Sequence, residues 1–351
     1  MSGAAPVEAS TGVFFMQKSN STAGRMTLPG GIAIGERDSC LCGLTNGGYL
    51  LKIVEVSGKK GLDMIKIYAD STNDLGPELI ARHNIKIIPL YVNMGDDTYT
   101  DWVDITPDEL YDWSDAHGTT PITAAFSIGD AEDALRQAKQ AGDDVLFFGI
   151  SSELSASCNI FRMAAENLDY ADHVAVIDSR NLCTGIGLLI LKAAAMIESG
   201  ETDLAKVAAK VEEYVPRVRT TSVIETLLYI HRGGRCSAAT ALFAGALRIK
   251  PKIVVKDGKL EVGKKYRGRQ ADVIRKYYED LEPGLLTADT DAVFVSHTGR
   301  LDQAIIDEIA DKVRALGRFK NVYVTRAGSV VTIHCGPGTL GVFYMDGPDA
   351  N

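Results

Sequence analysis

One stretch constrains the fold of this chain more than any other: an unbroken apolar run from Val145 to Ile150, followed at once by Ser151, Ser152, Ser155 and Ser157. Six apolar residues without polar alternation read as a parallel strand covered on both faces. The serines then fall at the strand's carboxyl end, just before a helix expected over Asn159 to Leu168. In open α/β sheets ligands settle at that edge, where hydroxyls and free helix N–H groups converge. Taken alone, Ser151, Ser152 and Ser155 are more simply read as caps of the helix.

The pattern around this strand is repetitive. Residues 1–63 are rich in Gly, Ser and Thr with weak periodicity, and are read as a poorly ordered extension or a misassigned start, with Met64 as the natural first residue. From there strands and helices alternate. Ile65 to Ala69 reads as a strand, Pro77 to His83 as a helix, and Ile85 to Met94 as one further strand. Thr106 caps a helix with Pro107 at its first position. A strand over 173–178, a helix over 185–200 and an amphipathic helix from Asp203 that Pro216 ends follow. Such alternation predicts a mainly parallel sheet with helices on both faces.

Beyond Pro216 the pattern changes. Lys252 to Tyr266 reads as a β-hairpin turning at Asp257-Gly258, and Val330 to His334 as an apolar strand ending at a Gly-Pro-Gly turn. The expected architecture is therefore two α/β domains, residues 64–220 with a mainly parallel sheet and residues 221–346 with a mixed or antiparallel one.

Composition narrows the function classes. A formal charge of −9 with no basic run longer than Lys264-Lys265 argues against nucleic acid as a partner. No segment has the 18 or more apolar residues of a membrane span, and the N-terminus lacks a signal-peptide pattern. The six cysteines are scattered, apart from the lone pair Cys40 and Cys42, and fit a reduced cytoplasmic setting without metal or disulfides. There is no Walker loop, no GxSxG elbow, and only a fragment of a dinucleotide fingerprint at Gly185 to Gly187, so no cofactor is expected.

Four polar stretches stand out: Asp70 to Leu75, Thr123 to Ser127, Ser151 to Ser155, and His334 to Gly338. Hydroxyls and an imidazole suit an anionic head group such as a carboxylate or phosphate. Taken alone, His334 and His297 are each more simply read as structural hydrogen-bonding groups than as ligand contacts. Arg232 and Arg235 flank a glycine pair that suggests a backbone bend or an anion site. Asp70 and Asp74 read as turn and cap residues.

In this order the stretches resemble the DegV family, fatty-acid-binding subunits that work with a separate kinase subunit in bacterial fatty-acid kinase. The likeness covers about Met64 to Met345. It is carried by the segments around Asp70, Thr123, Ser151 to Ser157, Asp178 to Gly187, Arg232 to Leu260, Arg267, and His334 to Tyr344. The resemblance implies two α/β domains enclosing a long-chain acyl group near their junction. Thr123 and Ser155 would bond the acyl carboxylate, with His334 and Arg232 beside them, and Arg267 would dock the kinase subunit. The chain would then be a cytoplasmic carrier with room for transient membrane contact and no catalysis of its own, presenting its ligand for acyl-phosphate formation. Two departures bear on loop geometry: Ala124 replaces a hydroxyl residue of the family pattern, and Ala156 a glycine.

Energetics favour a lipid within that frame. Burying roughly 14 methylenes at about 0.8 kcal/mol each yields on the order of 11 kcal/mol before ordering costs, against roughly 1 kcal/mol per hydroxyl contact. The competing readings are an acyl hydrolase or transferase using Ser155 with His334 as base, and a phosphosugar-binding sensory module.

Overall fold

A computed structural model describes residues 64–243 and 249–348 of the chain. The expectation for residues 1–63, and the Cys40–Cys42 pair within them, lie outside the described residues.

In chain order the first half runs β1 (Lys66–Asp70), α1 (Pro77–Arg82), β2 (Lys86–Ile88), β3 (Tyr91–Met94), β4 (Asp97–Thr100), α2 (Pro107–His117) and β5 (Ile122–Ala124). It continues through α3 (Ile128–Ala141), β6 (Val145–Gly149), α4 (Ser157–Asn167), β7 (Val174–Asp178), α5 (Thr184–Glu198) and α6 (Leu204–Tyr214). The rest comprises β8 (Val218–Val223), α7 (Leu227–Gly233), α8 (Ser237–Phe243), β9 (Lys250–Lys256), β10 (Lys259–Tyr266) and α9 (Gln270–Leu285). β11 (Ala292–His297), α10 (Gln303–Ala315), β12 (Asn321–Arg326), α11 (Ser329–Cys335) and β13 (Leu340–Met345) complete it.

The first sheet has the order β2-β1-β6-β7 and is parallel throughout. The apolar run that opened the argument is its central strand β6, buried at every position. Leu146 and Phe148 pack with Ile186 and Leu189 of α5 and Val207 of α6, while Val145 and Phe147 pack with Leu135 of α3 and Phe161 of α4. Alternate side chains thus meet helices on opposite faces, and for that reason the strand shows no polar alternation.

The largest sheet runs β10-β9-β8-β13-β11-β12, antiparallel except for the β11–β12 pair. Val293, Val295 and Val342 face the helices α9 and α10, whereas Phe294 and Phe343 join the cluster around α5. The expected hairpin is present: Asp257 and Gly258 join β9 to β10, both with positive φ (51° and 81°), as a two-residue turn requires. Gly258 passes its carbonyl to Ser151 Oγ at 2.7 Å, which ties this turn to the serine loop.

Two expectations need correction. Ile85 to Met94 is not one strand: Pro89 lacks an N–H to continue the ladder, and the chain leaves the parallel sheet after Ile88 to enter the small antiparallel sheet β4-β3-β5. Val330 to His334 is not a strand but most of helix α11. Its β-branched residues favour a strand locally, yet the N–H groups of Gly328 and Ser329 donate to Asp74 Oδ1 and Asp101 Oδ1, each at 2.8 Å. Carboxylates more than 200 residues away therefore satisfy the start of this helix.

Candidate functional site

α11 carries His334 in its last turn, and β5 carries Thr123, held in register opposite Val92 of β3. The two side chains meet: His334 Nε2 lies 2.8 Å from Thr123 Oγ1. Burial, with Arg235 nearby, pushes the His334 imidazole down to about 4, so it is neutral at pH 7. Its Nδ1 is sealed and has no hydrogen-bond partner among the described residues. Gly233 at the end of α7 lies so close to this ring that a Cβ there would overlap Nδ1.

These contacts decide what the pair can do. If Nε2 carries the proton it donates to Thr123, whose own O–H is then free to donate to an anion. With the proton on Nδ1, Thr123 would have to donate to Nε2 and could offer an anion nothing. The tautomer that suits a carboxylate is therefore the Nε2–H form.

Ser155 stands in the loop after β6. Helix α4 begins at Ser157 behind Ala156 with no side-chain cap, so Ser155 is not its N-cap. Its Oγ lies 2.9 Å from Ser157 Oγ. Ser157 is fully buried and reaches the carboxylate of Asp70, which also accepts from Ile150 N at 2.8 Å and Thr72 N at 3.1 Å. Burial raises Asp70 to about 6 despite those bonds. Asp70 does act as a turn and cap residue, as the sequence suggested, but from a fully buried position.

Thr123, Ser155 and His334 line one cavity of about 1010 Å³, its open mouth included. Its polar end reaches the surface at Ala124 and Arg235, which are exposed; elsewhere the wall is mostly apolar, with Leu182, Ile230, Ile253, Val331 and Phe343 among its residues and hydroxyls of the largest sheet, Ser222 and Ser296 among them, between these. Lining residues come from both sides of position 220. Arg232 does not line it: the side chain is exposed and donates to the Gly118 carbonyl at 2.9 Å. Arg235, three residues on, takes the place beside His334. The glycine pair explains the exchange, because Gly234 adopts φ 70° and turns the chain back toward α11. Arg267 is exposed beyond β10, away from the lining, with no ion pair among the described residues. Cys183 and Cys335, unremarked in the sequence, are also part of the wall. No group of three or more metal-ligating side chains occurs among the described residues.

Comparison with known proteins gives the same order of parts. The family model for the DegV family, described as uncharacterised proteins, matches residues 64–347. The chain belongs to the DegV family. A DegV domain-containing protein of Clostridium perfringens is 32% identical over 295 residues, covering 81% of this chain and 99% of the relative. Among solved structures, a fatty-acid-binding DegV protein of Thermus thermophilus superposes with a TM-score of 0.74 at 28% identity, covering 81% of this chain and 99% of that one. A stearic-acid-binding protein of Eubacterium ventriosum gives 0.71 at 28% identity, with 81% and 98% covered. The DegV fold accounts for the α/β architecture with its parallel and mixed sheets. No helix among the described residues is long and apolar enough to cross a membrane.

Proposed function

We propose that this DegV-family protein binds a long-chain fatty acid in the cavity and presents its carboxylate to a separate ATP-dependent kinase subunit, which forms the acyl phosphate. The observation that carries the reading is the neutral His334–Thr123 pair at the polar end of a mostly apolar cavity. Thr123 and Ser155 donate to the carboxylate, His334 holds Thr123 in the donating arrangement, and Arg235 supplies nearby positive charge. The apolar wall supplies most of the affinity, and the hydroxyls supply orientation. Fatty-acid binding by the Thermus thermophilus and Eubacterium ventriosum proteins supports this reading.

The reading takes residues 64–220 and 221–346 as the two domains that share the ligand, and places the protein in the cytoplasm. Arg267, exposed and without an ion pair among the described residues, is the docking residue for the kinase subunit. Arg232, expected beside the head group, is left out of it. The hydrolase alternative needs His334 as base on Ser155, whereas the imidazole is bonded to Thr123 and Ser155 to Ser157.

Native mass spectrometry of the purified protein, followed by organic extraction, tests the binding. A released species of fatty-acid mass is expected, and a protein that neither retains nor takes up fatty acid defeats the proposal. For the partnership, the loaded protein is mixed with the kinase subunit and ATP. Acyl phosphate should form, and form more slowly with Arg267→Ala.

A further inference from the structure

The centre of the largest sheet breaks the apolar character of the cavity wall. Strand register places Ser222 of β8, Gly341 of β13 and Ser296 of β11 in one row, and directly opposed residues present their side chains to the same face. All three line the cavity. Most other hydroxyls in the wall are engaged within the protein: Thr221 with the Tyr277 hydroxyl, Thr298 with the Gly336 carbonyl, and Thr339 with the Cys335 carbonyl. Thr220, buried and without a partner, has its hydroxyl against Gly185 of α5.

Ser222 differs from them. It is half-buried and lines the cavity, and its hydroxyl makes no hydrogen bond among the described residues. Its neighbour across the ladder on one side is Ile253; on the other is Gly341, over which the Phe343 ring leans, since a Cβ there would lie 2.7 Å from Phe343 Cε2. Ser296, beyond that ring, has only a 3.5 Å contact with Cys183 Sγ. A plain alkyl chain passing this row would cover Ser222 Oγ and remove it from water without a bond in return. A chain bearing an oxygen at that level would satisfy it.

We infer that Ser222 selects long-chain fatty acids carrying a hydroxyl within the chain, the in-chain oxygen bonding to Ser222 beside Gly341 while the carboxylate stays with Thr123 and Ser155. This inference rests on the fatty-acid reading and names the substrate class within it. A chain hydroxyl set against a wholly apolar wall would forfeit its hydration with nothing to replace it, so one serine is enough to discriminate among positions along the chain.

The test is direct binding of stearic acid and a panel of positional hydroxystearic acids to delipidated full-length protein and to its Ser222→Ala variant. One isomer should bind the unaltered protein within about threefold of stearic acid, with the other isomers weaker. Ser222→Ala should weaken that isomer about tenfold while stearic acid is held at least as tightly as before, since the variant has no hydroxyl for the plain chain to desolvate. The stearic acid measurement also reports whether the variant is folded. If every isomer is weakened alike and Ser222→Ala changes none of their ratios to stearic acid, the inference is overturned and fatty-acid binding stands. Failure of stearic acid itself to bind overturns both.

Discussion

Two sets of polar side chains sit near the same strand ends and use their hydrogen bonds in opposite ways. Asp70 to Asn73, with Ser71, turn theirs inward. Asp70 accepts from Thr72 and Ile150, Asn73 Nδ2 donates to the Asp70 carbonyl at 2.6 Å, and Ser71 Oγ accepts from Leu90 N at 3.1 Å. All four are almost wholly buried. Thr123, Ser155 and His334 are half-buried, bonded to one another or to a single neighbour, and face the cavity with capacity to spare. The difference separates a structural polar cluster from the one proposed to bind ligand: the first has its bonds satisfied largely within the chain, the second keeps a donor for something else.

Gly233→Ala should disturb the binding set and the stability of the fold together. The added methyl overlaps His334 Nδ1, and the ring can yield only by leaving Thr123. Overpacking of this kind costs about 1–3 kcal/mol of stability, and we expect fatty-acid affinity to fall at least about tenfold, read by urea denaturation and ligand titration. Unchanged affinity would mean that His334 does not govern Thr123. Thr123→Val combined with Ser155→Ala should reduce affinity by roughly 2 kcal/mol, about thirtyfold, with stability nearly unaltered. Thr72→Val, from the structural set, should show the reverse: about 1–3 kcal/mol less stable, with ligand held as before. A Thr72→Val protein that loses ligand but not stability would erase the distinction.

A third variant sharpens the comparison through pH. Burial chiefly holds the Asp101 carboxyl up at about 6, although the Ser71 hydroxyl and the N–H groups of Ser329 and Val330, which meet its Oδ1 at the start of α11, pull it down. A raised folded-state pKa means that the folded chain grips this proton more tightly than the unfolded chain, whose carboxyl titrates near 3.9. The stabilisation is complete below about pH 4, is lost as pH climbs to about 6, and falls no further above that. Asp101→Asn keeps the Oδ1 acceptor and has no proton to lose. It should therefore flatten this part of the pH profile and be about 3 kcal/mol more stable than the unaltered protein at pH 8, by urea midpoints between pH 4 and 8. A slope that persists unchanged in the variant would assign it to other groups.

Much of the fold was legible because its signals are local. The apolar run of β6, the proline and cap of α2, and the Asp257-Gly258 turn each announce themselves within a few residues. What escaped was set by distant partners. α11 reads as a strand because the acids at its start, Asp74 and Asp101, come from the other end of the described chain. The site was partly legible for the same reason: Thr123, Ser155 and His334 occupy polar stretches recognisable by type, whereas Ser222 and Ser296 become neighbours in a row only once β13 is placed between β8 and β11.

The smallest expected effect concerns the two arginines either side of Gly233-Gly234, identical in type and three residues apart. Arg232 donates to the Gly118 carbonyl at the surface and lines nothing, whereas Arg235 lines the cavity and helps hold the His334 imidazole neutral. An exposed charge near a bound carboxylate is worth on the order of 1 kcal/mol or less at moderate salt, because solvent screens it. Arg235→Ala should therefore weaken fatty-acid binding only severalfold, by an amount that shrinks as salt rises from 0.05 to roughly 0.5 M on the Debye-length scale. Arg232→Ala should change it less than about twofold at any salt, since a screened surface contact outside the lining contributes little to the carboxylate. Equal losses in the two variants would put the turn at Gly234, rather than the charge of either arginine, in control of the polar end of the cavity.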